Sequence, residues 1–213
     1  QIDPEGANGH MWLARTEGGR VTVMRTEDVQ RSVRIAYQAA ERAVQLDAQN
    51  PYSHYAVSAA CNAGREFDRS VRASRQAIAL NQSFALGHLG LGMALLHSGD
   101  PTNAVVSLER GLRLSPYEPQ YMLWLFSLAF ARSLTGEPEK GLVAARRALD
   151  LRPGWASGLF VLAANCMSCG LESEARDVWA KIQAAPDQSM DIVGLLRRTQ
   201  PGWVEQIESA FGE

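Results

Sequence analysis

A spacing of 34 residues recurs along this chain and constrains its fold more than any other feature. The recurring positions are Leu46, Leu80 and Leu114, each preceded three residues earlier by a small residue: Ala43, Ala77 and Gly111. The step lengthens to 37 residues between Leu114 and Leu151, and it returns to 34 between Ala148 and Ile182. A period of this length is typical of stacked helical hairpins.

The clearest hairpin begins at Ala85. An apolar stretch at helical spacing stops at Gly99, after which Asp100 is a good N-cap and Pro101 suits the first helical position. Apolar residues then recur at every third or fourth position up to Leu114, which predicts a second helix.

The same hairpin resembles one known repeat family. It reads His88-x-x-Leu91-Gly92-x-x-Leu95, then Ala104-x-x-x-Leu108 and Pro116. This is similar to the tetratricopeptide repeat (TPR), with its Trp-x-x-Leu-Gly-x-x-Tyr, Ala-x-x-x-Phe and Pro. The resemblance implies an all-α, right-handed α-solenoid of about five repeats, forming a single domain over 1–213. We expect units at 5–48, 51–82, 83–116, 120–153 and 155–186, with a C-terminal cap at 188–212.

Local signals refine this expectation. Gly18-Gly19 predicts the end of a first helix over 5–18, and Thr26 is the expected N-cap of the next helix. The period also predicts that Leu114 is buried. After Pro186 the period ends, and two shorter helices over 190–198 and 204–211 are expected to cover the last repeat.

Composition excludes several classes of function. Hydrophobic residues make up 46% and charged residues 21%, with a net charge of −2, so no basic field favours nucleic acid. No apolar run reaches the roughly 18 residues of a membrane helix, and three cysteines do not make a disulfide framework. A reducing, cytoplasmic setting is therefore expected. Because the sequence begins with Gln1, we expect a fragment or a processed product.

The distribution of charge is the main clue to function. The predicted first helices at 51–63, 83–98, 120–134 and 155–169 carry one full charge, Arg132. In TPR proteins these helices line the concave groove. The predicted groove residues are Tyr52, Tyr55, Asn62, Leu86, Leu89, Met93, His97, Leu123, Phe126, Phe130, Leu134, Phe160 and Met167.

An uncharged groove restricts what can occupy it. It lacks the cationic side chains that grip an acidic peptide terminus, so that carboxylate-clamp role is excluded. An apolar or amphipathic protein segment fits better. A second copy of the chain, its own C-terminal helices or a small apolar ligand are the alternatives, and each residue could instead be inter-helix core.

Other candidate sites are weaker. Four arginines at 65, 69, 72 and 75 form either a solvated face or a site for an acidic partner. Cys166 and Cys169 have Cys-x-x-Cys spacing but fall in the last turn of a predicted helix, so packed thiols are favoured over a redox or zinc site. His10, His54 and His88 fall where the repeat places an aromatic residue. No catalytic constellation, metal site or cofactor motif is present, which predicts a non-enzyme.

Short phrases suggest a parent protein. They are Ala-Val-Gln-Leu-Asp at 43–47, Ala-Leu-Asn at 79–81, Leu-Ser-Pro-Tyr-Glu-Pro at 114–119, and Pro-Gly-Trp-x-Glu-x-Ile-x-x-Ala-Phe-Gly at 201–212. These resemble the C-terminal repeat region of bacterial class III adenylate/guanylate cyclases and of related winged-helix regulators. The closing Phe211-Gly212 replaces that family's Gly-Leu-Pro finish. The resemblance implies a regulatory or scaffold module of a larger bacterial signalling protein, whose catalytic residues lie outside this sequence.

Overall fold

The computed structural model describes residues 6–22, 26, 28–117, 121–184, 205 and 209. Within these ranges the chain is all-helical, with ten helices and no strand. The helices are α1 (Ala7–Thr22), α2 (Val29–Leu46), α3 (Pro51–Ala63), α4 (Phe67–Leu80), α5 (Ala85–His97), α6 (Pro101–Leu114), α7 (Tyr121–Leu134), α8 (Pro138–Leu151), α9 (Ala156–Ser168) and α10 (Glu172–Ala184). Consecutive helices pair into five hairpins, which confirms the all-α repeat fold.

The hairpins fall into two compact units, Gln1–Pro116 and Tyr117–Glu213. The division lies where the sequence period lengthens from 34 to 37 residues. In unit 1, α1 contacts α3 and α3 contacts α5; in unit 2, α7 contacts α9. The first helices of neighbouring hairpins therefore adjoin within each unit. In the described part of the chain, no helix is long and apolar enough to span a membrane.

The turn inside each hairpin has a repeated conformation. The second residue after the first helix is left-handed in four hairpins: Gly99 (φ 90°), Gly136 (φ 73°), Gly170 (φ 72°) and Arg65 (φ 63°). Glycine adopts this conformation freely, whereas a side chain there is strained. The second hairpin is therefore exceptional in placing an arginine at this position.

Capping fixes the starts of several helices. The Asp100 carboxylate accepts a hydrogen bond from the Asn103 amide at 3.1 Å, as predicted for this N-cap. At α2 the prediction of Thr26 as N-cap is wrong. Asp28 caps this helix and accepts from the Arg31 amide at 2.8 Å, while Thr26 Oγ1 bonds the Asp28 carbonyl oxygen instead.

The repeated small residues, not the repeated leucines, form the core. Ala43, Ala77 and Ala148 are fully buried, and Gly111 is buried at the equivalent place in α6. The prediction that Leu114 is buried is wrong, because this leucine is the last residue of its helix and lies partly exposed at the turn. Its counterpart Leu151 is 58% exposed.

The predicted break at Gly18-Gly19 is also wrong, since α1 continues to Thr22. Gly18 is buried, and a Cβ atom there would lie 3.2 Å from the Ala59 carbonyl oxygen in α3. The glycine therefore permits close helix packing rather than ending the helix. The predicted helices of the C-terminal cap lie outside the described residues, apart from Glu205 and Ser209.

Candidate functional site

The surface of the four later first helices, α3, α5, α7 and α9, is uncharged. Their one charged residue, Arg132, is 8% exposed and forms an ion pair with Glu137 in the following turn. A hydrogen bond from Lys140, followed by the charge of Arg132, lowers the pKa of the Glu137 carboxyl. A bound partner would therefore meet no free charge on these helices.

Six of the thirteen predicted groove residues are buried in the monomer. These are Tyr55, Leu86, Leu89, Met93, Phe130 and Phe160, each at most 8% exposed. Their apolar side chains fill the space between helices, as the alternative reading of the pattern held. Because they are covered by the chain itself, they can shape a binding surface but cannot make its direct contacts.

The other seven predicted residues are accessible. Tyr52 is 47% exposed. The remaining six are partly exposed: Asn62, His97, Leu123, Phe126, Leu134 and Met167. The accessible residues divide between unit 1 (Tyr52, Asn62 and His97) and unit 2, so each unit presents its own part of the uncharged surface.

In unit 1 an aromatic cluster forms where α3 begins. The rings of Tyr52 and Phe84 meet edge to face with centroids 4.7 Å apart, and Tyr55 contacts Phe84 in the same way at 6.2 Å. Phe84 is buried and precedes α5 as its N-cap. This geometry is favourable for aromatic pairs and leaves the Tyr52 ring presented to solvent.

Unit 2 repeats this arrangement. The rings of Phe126 and Trp155 are 4.8 Å apart, and Trp155 precedes α9 as its N-cap. Trp155 and Phe126 stand at the same repeat positions as Phe84 and Tyr55 in unit 1. Both Phe126 and Trp155 are partly exposed, so the pair is accessible in unit 2.

Sequence analysis omitted Phe84 and Trp155 from the site. Each lies at the start of a predicted first helix, 83–98 or 155–169, and one residue before the alanine that opens the observed helix. A signal was present, because both are aromatic and occupy the same place in the repeat. We refer to Tyr52, Tyr55 and Phe84 as the unit 1 aromatic cluster, and to Leu123, Phe126 and Trp155 as the unit 2 aromatic cluster.

His97 closes the other end of the unit 1 surface, at the last residue of α5. Its ring stacks on Phe67 with centroids 5.3 Å apart. Burial, with a smaller effect from the charge of Arg65, lowers the pKa of His97 to about 4. The ring is therefore neutral at pH 7 and adds to the uncharged surface.

The other histidines stabilise the hairpins. The ring Nε2 of His54 lies 2.9 Å from the Ala48 carbonyl oxygen, and that of His88 lies 3.0 Å from the Gln82 carbonyl oxygen. Both rings thus satisfy a carbonyl group in the turn that precedes their helix, besides occupying the aromatic position of the repeat.

The Cys-x-x-Cys residues have the character of packed thiols. Cys166 and Cys169 are both free, and they lie in the last turn and at the C-cap of α9. Burial raises the pKa of Cys166 to about 11 and also raises that of Cys169. A redox-active thiol requires the opposite shift. Among the described residues, no group of three or more His, Cys, Asp or Glu side chains could hold a metal ion.

Comparison with solved structures places the fold among TPR proteins. The chain is similar to PilW, a widely conserved type IV pilus biogenesis factor (15% identity, TM-score 0.67, covering 94% of this chain and 97% of PilW). It is also similar to PilF of Pseudomonas aeruginosa (13%, 0.65, 95% and 98%). A third neighbour is YrrB, a TPR protein with an unusual peptide-binding site (14%, 0.59, 80% and 98%).

No family model matches the sequence. At these identities the structural likeness defines the fold, which is the TPR-type helical repeat. In this fold each hairpin packs on its neighbours, so the stacked hairpins form an extended surface.

Proposed function

We propose that this chain is a non-catalytic interaction module that binds an apolar or amphipathic segment of a partner protein on its first-helix surface. The proposal rests on the lack of exposed charge on α3, α5, α7 and α9. Their one charged residue, Arg132, is buried and paired with Glu137. The second helices carry many charged residues, so the lack of charge is specific to the first helices of these hairpins.

The aromatic clusters supply the contacts. Tyr52 is 47% exposed in unit 1, and Phe126 and Trp155 are partly exposed in unit 2. Aromatic residues dominate the binding energy of protein interfaces, because they bury a large area with little loss of side-chain entropy. In unit 1 the buried ring of Phe84 contacts both Tyr52 and Tyr55 and so holds them in position.

A selection experiment tests this proposal. The whole chain is immobilised and screened against a displayed library of 16-residue random peptides. We expect enriched peptides to carry apolar residues at helical spacing. We expect the Kd of a peptide bound to unit 1 to rise about tenfold in Tyr52→Glu, and that of a peptide bound to unit 2 to rise about tenfold in Phe126→Glu, because each change places a charge within a desolvated contact.

Val106→Glu is the matched control. Val106 is 63% exposed on the second helix α6 and lies outside both clusters. An equal loss of binding in this variant would contradict the proposal, as would enriched peptides that bind all three variants as tightly as the wild type.

Two other possible occupants of the first-helix surface can be distinguished from a partner segment by simple measurements. If the surface pairs two copies of the chain, light scattering would show a dimer that Phe126→Glu converts to monomer. If it holds a small apolar molecule, the rival function, native mass spectrometry of the purified chain would show a retained mass.

We also propose that the module is the regulatory C-terminal part of a larger bacterial signalling protein, similar to the class III cyclases. The phrases at 43–47, 79–81, 114–119 and 201–212 support this context. The coding sequence upstream of Gln1 tests it directly. A cyclase or winged-helix domain there would support the assignment, and a different domain would overturn it.

A further inference from the structure

A charged cleft in unit 1 contrasts with the uncharged first-helix surface. It has a volume of about 530 Å³ and lies at the turn between α3 and α4. Arg65, Arg69 and Arg72 line it from this hairpin, and Ser98 lines it from the turn of the next one. The cleft is open to solvent rather than enclosed.

Arg69 is already engaged within the fold. Its guanidinium donates to Glu41 of α2 at 2.9 Å and to Glu66 at 3.4 Å. It also lies over the Tyr37 ring, 5.4 Å from the ring centroid. These contacts hold the Arg69 side chain in place at the side of the cleft, and its charge is neutralised by the two glutamates.

Arg65 and Arg72 differ from Arg69 in this respect. Both are exposed, and neither forms an ion pair with any residue that the structure describes. The two carboxylates that line the cleft are Glu66, which Arg69 holds, and Asp68. Two guanidinium groups without an ion pair therefore lie beside one carboxylate without an ion pair, so Arg65 and Arg72 keep hydrogen-bond donors for an anionic ligand.

The backbone of Arg65 gives an independent indication. Its φ of 63° is the left-handed conformation that Gly99, Gly136 and Gly170 adopt in three other hairpins. A Cβ atom at any of these glycines would meet nothing within 4 Å, so this turn position offers a side chain no packing. An arginine here bears backbone strain and places its charge at the cleft instead.

An aromatic surface adjoins the two arginines. Phe67 lines the cleft and is partly exposed, and its ring stacks on His97. Cations without an ion pair beside an aromatic face suit a ligand with both anionic groups and aliphatic side-chain carbons. Guanidinium groups match the planar geometry of a carboxylate, with two parallel hydrogen bonds.

We propose that the cleft at the α3–α4 turn binds an acidic peptide segment of a partner protein, whose Asp or Glu carboxylates accept hydrogen bonds from Arg65 and Arg72. The segment lies along Phe67. This site adjoins the first-helix surface where Phe67 stacks on His97, but its occupation does not require the apolar partner proposed above. The proposal corresponds to the acidic-partner alternative that the four arginines of this region suggested in the sequence. Arg65 and Arg72 are the recognition residues, and Arg69 has a structural role.

Fluorescence anisotropy with the whole chain tests the proposal. The probe is a fluorescein-labelled peptide of six glutamates flanked by Gly-Ser, and the reference peptide carries six glutamines. We expect binding of the glutamate peptide alone at 50 mM salt and its loss at 500 mM. The variants Arg65→Gly and Arg72→Gln should each raise the Kd about five-fold.

Arg75→Gln is the matched control, because Arg75 is exposed on the same helix α4 but does not line the cleft. Its Kd should stay within about two-fold of the wild-type value. Arg65→Gly supplies a second readout: since glycine relieves the left-handed strain, this variant should melt at the same temperature as the wild type or higher, while binding more weakly.

Three results would overturn the proposal. They are no binding of the glutamate peptide at 50 mM salt, an equal loss in Arg75→Gln and Arg72→Gln, and unchanged binding in Arg65→Gly. Binding of inorganic phosphate at millimolar concentration, measured directly by calorimetry, together with no measurable affinity for the glutamate peptide would assign the cleft to a small anion instead. Tyr52→Glu should leave this peptide's affinity unchanged, which separates the cleft from the first-helix surface.

Discussion

Replacing Gly111 with alanine should destabilise the protein, although alanine is the better helix former. Gly111 lies in α6, and a Cβ atom there would sit 2.5 Å from Leu89 Cγ and 2.6 Å from Leu89 Cδ2 in α5. Carbon atoms in contact prefer about 3.5–4.0 Å, so the new methyl overlaps the leucine by about 1 Å. Leu89 is 0% exposed, so it cannot relieve the overlap by turning into solvent.

Two opposing terms set the magnitude. Overpacking a core by one methyl group costs about 1–3 kcal/mol. Helix propensity favours alanine over glycine by about 1 kcal/mol. The Ala85 carbonyl oxygen, 3.1 Å from the new Cβ, adds a rigid backbone contact that opposes relaxation. We therefore expect a net loss of about 1 kcal/mol in the free energy of unfolding.

Gly19→Ala is the matched control. Gly19 precedes the end of α1 by three residues, as Gly111 precedes the end of α6, and a Cβ atom at Gly19 would meet nothing within 4 Å. This variant should gain up to about 1 kcal/mol, so the two should differ by about 2 kcal/mol in urea unfolding. Adding Leu89→Ala to Gly111→Ala should cost less than the sum of the single changes, because it removes the overlap.

The reasoning fails if Gly111→Ala and Gly19→Ala shift the urea midpoint by the same amount in the same direction. That result would mean that α5 and α6 can separate at Gly111 without cost.

Three further predictions concern burial, pH and buried hydroxyl groups. Leu108→Ala should lower the free energy of unfolding by about 2–5 kcal/mol, because Leu108 is 0% exposed. Leu151→Ala should lower it by less than about 1 kcal/mol, because that leucine is 58% exposed. Equal urea midpoints for the two variants would contradict the assignment of Leu108 to the core. The pKa of His97 is lowered to about 4 in the fold, so its stabilising effect is complete above the unfolded value of about 6.5 and is lost as pH falls through 4. Between pH 7 and pH 4 the free energy of unfolding of the wild type should fall by about 1–2 kcal/mol more than that of His97→Gln. This difference is smaller than the full pKa shift implies, because the ring is partly exposed. Parallel pH profiles of the urea midpoint for the two proteins would refute the prediction. Ser70 Oγ forms hydrogen bonds with the Ser58 carbonyl oxygen at 3.0 Å and with Ser58 Oγ at 2.9 Å, and both residues are 0% exposed. Ser70→Ala should therefore lower the free energy of unfolding by about 1–2 kcal/mol in thermal unfolding. An unchanged melting temperature would show that these hydrogen bonds do not stabilise the fold.

The helical hairpins were readable from the sequence because their signals are local. Asp100 and Pro101 start α6 as predicted, and the period places the later hairpins within a residue or two of their observed ends. The absence of charge on the first helices was equally readable, since it depends on which helix a residue belongs to and not on how helices meet.

Burial was less predictable, because it depends on contacts between helices. Leu114 recurs with the period yet lies partly exposed, whereas Gly111 three residues earlier is in the core. In the same way, Leu89 and Phe160 were predicted as groove residues but are covered by neighbouring helices. Periodicity identifies the face of a helix, but the direction of approach of the next helix decides which residues on that face stay open.

By itself, the sequence determined that this chain folds as repeated helical hairpins and that the first helices of the four later hairpins carry a single charged residue, Arg132. Both properties follow from residue types at fixed local spacings. The tertiary structure decided which apolar side chains are accessible, why Gly18 lies inside a helix, and where Arg65 and Arg72 face a cleft. These depend on the distances between helices, which are set by the packing of side chains far apart in the chain.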